Sequence, residues 1–503
     1  MQIIKSATLD EIEAVSVNVE STFTKGLPSF SIIGMVSTSI SESKDRVKSA
    51  LLLNEYKFPP LKITVNLSPS EIKKNGTQFD LAIALQIALY EEKRISLDDI
   101  YVFGELGLDG IVKENDFIFP IVLSLAKQKI ISEVLVCKET ANKIEKIPNL
   151  KIYVVNTLDE AINFFKSSDK EKYIHQKQEY EYKKINIRNK DYYYLEDYSD
   201  DYSEVIGQDI AKFASLISLC GNHNLILTGS PGCGKSMIIN RMQHLQAPMS
   251  LEEILEKAKL QSLEGKVVDF VPKRAFKAVH CSSTKSSIFG GGSSRAKIGE
   301  IALCNGGMMF FDELPHFPKS VLESLREPLQ DNKIQISRVN SKVLYNTNIT
   351  FVAAQNPCPC GNLLSSLKEC RCSEIEIQRY KNKISEPILD RIDLYVTMND
   401  TFNDNKNVVS SKELHKTVLK TFSIQKSRGQ SQLNGKLSDS EVKEFCVLED
   451  DCIEVFNRAK RNYQLSFRSV NKVLKVARTI ADINGKDKIT KKDLLQSLSY
   501  RRR

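Results

Sequence analysis

No run in the 503 residues approaches the roughly eighteen consecutive apolar side chains that a membrane-crossing helix needs. The opening Met1-Gln2-Ile3-Ile4-Lys5 also lacks the basic and apolar regions of a secretory signal. These absences argue against a membrane-spanning protein and set the expectation of a cytoplasmic one. A strong charge of one sign is missing as well: 71 Lys and Arg against 63 Asp and Glu leave +8, which permits a nucleic-acid partner without requiring one. Length sets an expectation of about three domains, with ample apolar content for several cores. Seven of the eleven cysteines stand singly; among apolar neighbours, as at Cys137 and Cys304, they read as small core residues.

Against these absences stands one local motif. Gly229-Ser230-Pro231-Gly232-Cys233-Gly234-Lys235-Ser236 matches the phosphate loop G-x-x-x-x-G-K-[ST]. The apolar run Asn224 to Thr228 precedes it as a strand should, and Met237 to Leu245 follows with helix-compatible residues. Backbone N–H groups of such a loop wrap phosphates only where bulky side chains are missing, and the positive end of the next helix adds to the attraction. Lys235 then reaches the outer phosphates and Ser236 ligates magnesium. A second run, Gly307-Met308-Met309-Phe310-Phe311-Asp312-Glu313, reads as a buried strand ending in acids. Asp312 holds the magnesium through water, and Glu313 polarises the attacking water as a general base. The chain is expected to hydrolyse a nucleoside triphosphate.

Residues 1–166 show mixed strand and helix patterns. Val15 to Val19 and Ile63 to Leu67 alternate as half-buried strands, Asp80 to Leu89 reads as an apolar helix opened by an acidic cap, and Glu133 to Cys137 and Lys151 to Val155 read as buried strands. Residues 167–202 carry dense charge of both signs and eight tyrosines, and are expected to be a solvated linker. Residues 203–398 form the ATPase core and 399–503 a helical segment. Within the core, Ile349 to Ala354 is another apolar strand that ends in Gln355-Asn356, where an amide can sense a terminal phosphate. Leu389-Asp390-Arg391-Ile392-Asp393 offers an arginine suited to transition-state charge on a neighbour's nucleotide; alone, such an arginine is more often a salt-bridge partner of Asp390 or Asp393. Cys358-Pro-Cys360 and Cys370-Arg-Cys372 put four cysteines on one polar loop. Four thiolates can enclose zinc, and four reduced thiols are the alternative, a disulfide not being expected in a cytosolic protein.

The segments P-S-F-S-I-I-G (28–34), T-V-N-L-S-P-S (64–70), G-Q-D-I-A-K (207–212), G-N-H-N-L-I-L-T-G-S-P-G-C-G-K-S (221–236), G-G-M-M-F-F-D-E-L-P (306–315), A-A-Q-N-P-C-P-C-G (353–361), L-D-R-I-D (389–393) and A-R-T-I-A-D (477–482) together resemble the ComM/YifB family of magnesium-chelatase-like AAA+ ATPases. The resemblance covers nearly the whole chain. It implies an α/β multidomain protein: a Lon-protease-like N-terminal domain, an AAA+ P-loop core with chelatase-type insertions, and a C-terminal helical lid. It makes Asn356 the first sensor, Arg391 a finger acting in trans, and Arg468 a second sensor from the lid. It also implies a hexameric motor on single-stranded or branched DNA, of the kind that drives branch migration in natural transformation. Gly290-Gly291-Gly292 and Ile336-Ser337-Arg338 would lie on insertions near the ring pore.

One departure from the family and one from the Lon-type proteases matter. Val279-His280-Cys281 stands where Pro-His-His is common, and Gln78 falls where a Lon-type protease has its serine. An amide cannot attack a peptide, so the N-terminal domain is expected to be non-proteolytic. Three other readings of the chain stay open: a protein remodeller, the ATPase subunit of a metal chelatase, and a nucleotide-gated scaffold. Glu313 argues against the last, because a switch has less need of a hydrolytic base.

Overall fold

In the computed structural model, residues 3–92, 100–291, 297–337, 342–399 and 409–501 are described. The chain divides into two compact units, Met1–Glu181 with Leu255–Phe270, and Tyr182–Ile254 with Val271–Arg503.

The first unit is built on a seven-stranded mixed sheet ordered Ser29–Ile33, Lys62–Ser68, Glu13–Thr24, Ile3–Asp10, Ile100–Val102, Glu133–Val136, Lys151–Val154. The expected alternation is present in Lys62–Ser68, where Ile63, Val65 and Leu67 face the core. Helix Asp80–Ala88 packs into the same core, but Asp80 is not its cap. The N-cap is Phe79, and the Asp80 carboxylate is buried, accepting from Arg46 Nε at 2.7 Å and from the Ser43 hydroxyl. Burial raises its pKa, and Arg46 and Ser43 oppose the rise. Gln78 is buried and its amide donates to Asn75 O at 2.9 Å.

Part of the segment expected as a linker is regular structure. Lys183–Ile187 and Lys190–Tyr194 form a hairpin that pairs with Met249–Ser250 inside the second unit. Its two-residue turn, Arg188 (φ 50°) and Asn189 (φ 61°), has the double positive φ whose twist matches hairpin strands. The dense charge is self-paired, with Lys184 at 2.7 Å from Asp191 and Lys183 at 2.6 Å from Glu196. The tyrosines pack inward: Tyr192 meets Phe422 edge-on at 5.0 Å, and Tyr198 bonds His415 Nδ1 at 2.8 Å.

The second unit centres on a five-stranded, wholly parallel sheet ordered Phe276–Val279, Met308–Phe311, Thr350–Gln355, Leu225–Gly229, Leu394–Met398. Its middle strands read as apolar runs because both faces are covered. The C-terminal segment is helical, as expected: Ser411–Ser427, Asp439–Phe445, Asp450–Asn462, Phe467–Ile483 and Lys491–Ser499. Helix Phe467–Ile483 turns Val473, Val476, Ala477 and Ile480 inward at helical spacing. Six of the seven scattered cysteines are buried and Cys281 is half-buried.

Candidate active site

Strand register alone brings the motif residues together. Thr228 lies opposite Gln355, and Phe311 opposite Ala353. The loops that leave Gly229, Phe311 and Gln355 therefore emerge side by side at the carboxyl edge, where open parallel sheets bind ligands. Gln355 Nε2 donates to Thr228 Oγ1 at 3.0 Å and ties two of these ends together.

At Gly229 the glycine is sterically required, since a Cβ would lie 2.6 Å from Cys233 Sγ and 3.0 Å from Met398 O. Gly234, with φ +92°, is required for its conformation, and it releases the chain into helix Lys235–Met242. Lys235 Nζ folds back over the loop, donating to Gly229 O at 2.6 Å, Ser230 O at 2.9 Å and Asn356 Oδ1 at 3.2 Å. Ser236 Oγ donates to Asp312 Oδ2 at 3.3 Å. The other Asp312 oxygen accepts from Glu313 N at 2.9 Å. Glu313 is exposed and left-handed (φ 53°, ψ 48°), a conformation costing a non-glycine residue about 1–3 kcal/mol, of the kind found where a side chain is aimed for function. A loop of backbone donors at a helix start, a lysine, and a hydroxyl beside a carboxylate make a set of groups that fits a magnesium-bound triphosphate.

Sequence reasoning missed Tyr380, on helix Glu374–Lys381. Burial pushes its hydroxyl up to about 12; a bond with the Asn356 backbone opposes this, and the Glu313 charge adds to it. Nothing local marked Tyr380, since its loop returns to the site only in three dimensions.

A second gathering is cationic. Arg391 Nε donates to Arg326 O at 3.0 Å, and its other nitrogens donate to Pro387 O and Gln330 Oε1. Burial lowers its pKa, and the charges of Arg468 and Arg326 lower it further. Asp393 takes other partners, accepting from Asn224 N at 2.9 Å and lying 3.7 Å from Lys472. Burial would raise the Asp393 carboxyl, but Lys472 and His223 hold it far below the usual range. Lys472 also donates to Ile392 O at 3.2 Å and to Asp390 O. It lies four residues, about one helical turn, past Arg468, and so pins helix Phe467–Ile483 to the Asp390–Asp393 turn. Lys472 carried no sequence signal because it acts through tertiary contacts, and Arg326 carried none because it meets Arg391 through its backbone carbonyl, its guanidinium lying 3.0 Å from Glu323.

The four clustered cysteines converge: Cys358 Sγ lies 3.5 Å from Cys360 Sγ and 3.7 Å from Cys370 Sγ, and all four sulfurs lie within 4.8 Å of one another. The two insertions also meet. Gly290–Gly291 pairs with Lys297–Ile298, and a Cβ on Gly290 would lie 2.5 Å from Ile336 Cδ1 of the ribbon Lys333–Ser337 and Lys342–Asn346. Gly292 and Arg338 lie outside the described residues. His280 is exposed and bonds Ser282 Oγ at 2.7 Å.

Residues 201–406 match the family described as Magnesium chelatase, subunit ChlI. Residues 19–140 match Subunit ChlI of Mg-chelatase, and residues 408–501 match the C-terminal part of the same subunit. The chain is 32% identical to Competence protein ComM of Haemophilus influenzae over 100% of its own length and 97% of that protein. It is 33% identical to the uncharacterized protein YifB of Escherichia coli over 97% of its length and 95% of that protein. The chain belongs to the ComM/YifB family. It is a magnesium-chelatase-like AAA+ ATPase, for which ATP and magnesium are the implied cofactors. A more distant match, 21% identical over 54% of the chain and 32% of the other protein, is DNA replication licensing factor mcm-6 of Caenorhabditis briggsae. Among the described residues no helix is long and apolar enough to cross a membrane.

Proposed function

We propose that the chain is a cytoplasmic, ring-forming motor, six-membered as the family resemblance implies, that couples ATP hydrolysis to movement on single-stranded or branched DNA. The observation that carries the reading is the phosphate-loop site, where Lys235 bonds Asn356 Oδ1 at 3.2 Å and Ser236 bonds Asp312 Oδ2 at 3.3 Å. Arg391, whose pKa is lowered by burial and then by the charges of Arg468 and Arg326, with Asp390 and Asp331 opposing, is the planar cation suited to a phosphate group arriving from a neighbouring subunit.

In the chain's own site, the loop Gly229 to Ser236 receives the phosphates on its backbone N–H groups, Lys235 exchanges its carbonyl partners for the outer phosphates, and Ser236 and Asp312 hold magnesium. The bound ion spreads the charge that develops on the transferring phosphoryl group. Glu313 takes the proton of the attacking water, and Asn356, already bonded to Lys235, orients the terminal phosphate. Arg391 completes the adjacent subunit's site, and Arg468 serves as the second sensor.

DNA as the polymer is supported by the full-length similarity to a competence protein and, more weakly, by the DNA replication licensing factor. The matched family descriptions favour a metal-chelatase ATPase subunit as the alternative. ATP turnover measured across a titration of single-stranded and junction DNA separates the two. A motor on DNA accelerates with DNA, and a turnover rate flat across both titrations counts against it.

A further inference from the structure

Between Asn356 and helix Glu374–Lys381 the chain runs without a helix or strand. Something must hold that segment, because both of its ends serve the site. Asn356 bonds Lys235 at one end, and Tyr380 reaches the Asn356 backbone from the other. In the middle, Gly361 sits against the phosphate loop, where a Cβ would fall 2.6 Å from Pro231 Cδ.

We infer that Cys358, Cys360, Cys370 and Cys372 bind a single tetrahedral zinc ion, which closes this segment into a knuckle braced against the phosphate loop. A zinc–sulfur bond of about 2.3 Å places the corners of a tetrahedron about 3.8 Å apart. The sulfurs stand at 3.5 Å (Cys358 to Cys360), 3.7 Å (Cys358 to Cys370) and 3.7 Å (Cys360 to Cys370). A disulfide would draw a pair to about 2.05 Å. A cluster of several irons would spread its four ligands farther apart than the corners around one ion. Four soft thiolates with tetrahedral spacing select zinc among single divalent ions.

The surroundings fit a thiolate site. Backbone N–H groups of Asn362 and Arg371 point at Cys360 Sγ, the kind of outer donor that steadies metal-bound sulfur. Cys358 is fully buried, while Cys360 is exposed. A Ser373 and Glu376 capping box starts the following helix directly after Cys372, so the knuckle fixes where Tyr380 arrives.

The test is metal content of the purified full-length chain by inductively coupled plasma mass spectrometry, after dialysis against metal-free buffer. The expected result is stoichiometric zinc in wild type, retained in Cys281→Ser and lost in Cys360→Ser and Cys372→Ser. Wild type with no zinc, or Cys360→Ser and Cys372→Ser with undiminished zinc, overturns the proposal. Stoichiometric iron overturns the choice of ion. Should the serine variants fail to fold, wild type is treated with a mercurial thiol reagent and the released ion is measured with a colorimetric chelator. Release in step with thiol modification supports the site, and no release overturns it. Cobalt exchanged into wild type should give the visible absorption of a tetrahedral thiolate complex, and an octahedral spectrum speaks against it. Metal content is read without ATP, so failure here leaves the ATPase reading standing.

Discussion

Replacing Arg391 with alanine should separate nucleotide binding from turnover. The guanidinium is held by Arg326 O, Pro387 O and Gln330 Oε1, whereas Lys235 is held by Gly229 O, Ser230 O and Asn356 Oδ1. Sites that share no partners usually couple by no more than about 0.5 kcal/mol, so affinity for a fluorescent ATP analogue should change by about a factor of two or less. Turnover should fall by about a thousandfold, the low end for losing an arginine finger, which corresponds to about 4 kcal/mol of transition-state stabilisation. The assay pairs equilibrium nucleotide binding with steady-state phosphate release at saturating ATP. Mixing then tests the trans geometry. Arg391→Ala keeps Glu313, and Glu313→Gln keeps Arg391, so an equal random mixture in a head-to-tail ring rebuilds about a quarter of the interfaces. Recovery of turnover towards that fraction supports the assignment. A tenfold loss of nucleotide affinity in Arg391→Ala, or no recovery on mixing, would refute it.

Two further perturbations probe the scaffold. Gly229→Ala would press a Cβ to 2.6 Å from Cys233 Sγ and 3.0 Å from the carbonyl of Met398. Because a backbone oxygen cannot step aside, it should cost about 1–3 kcal/mol of stability, seen as a lower thermal midpoint together with weakened ATP binding; an unchanged midpoint and affinity would contradict the steric reading. His415 is held neutral, its pKa brought from 6.5 to about 4 chiefly by burial. A depressed histidine stabilises fully above the unfolded pKa and loses that contribution as pH falls from about 6.5 towards 4. At about 1.36 kcal/mol per pKa unit, the shift amounts to about 3 kcal/mol, of which about 2 should be gone by pH 5. Denaturant midpoints at pH 7 and pH 5 should show this loss in wild type and a smaller one in His415→Asn, and equal losses would contradict it.

What could be read from the sequence followed locality. The phosphate loop was legible because its glycines, lysine, hydroxyl, strand and helix are contiguous. Asp312 and Asn356 were legible because an apolar run ending in a polar residue marks the carboxyl end of a buried parallel strand, and parallel register gathers such ends. Residues 183–194 misled because a hairpin whose exposed face pairs Lys183, Lys184 and Asp191 with partners has the composition of a solvated linker, and its Arg188-Asn189 turn lacks the usual glycine. Asp80 looked like a cap because an acid at a helix start usually is one; here Arg46, 34 residues earlier in the chain, claims it. Tyr380 and Lys472 were invisible because each reaches its partners through tertiary contacts, and Arg326 because it meets Arg391 through its backbone carbonyl.

The most direct test of the central claim is movement of a synthetic branched DNA junction by purified wild type beside Glu313→Gln, with phosphate release recorded in the same reactions. Junction movement should require ATP, turnover should rise with DNA, and Glu313→Gln should bind ATP yet neither hydrolyse it at the wild-type rate nor move the junction. Normal hydrolysis in Glu313→Gln would contradict the assigned base. Turnover indifferent to DNA, with the junction unmoved, would contradict the DNA motor.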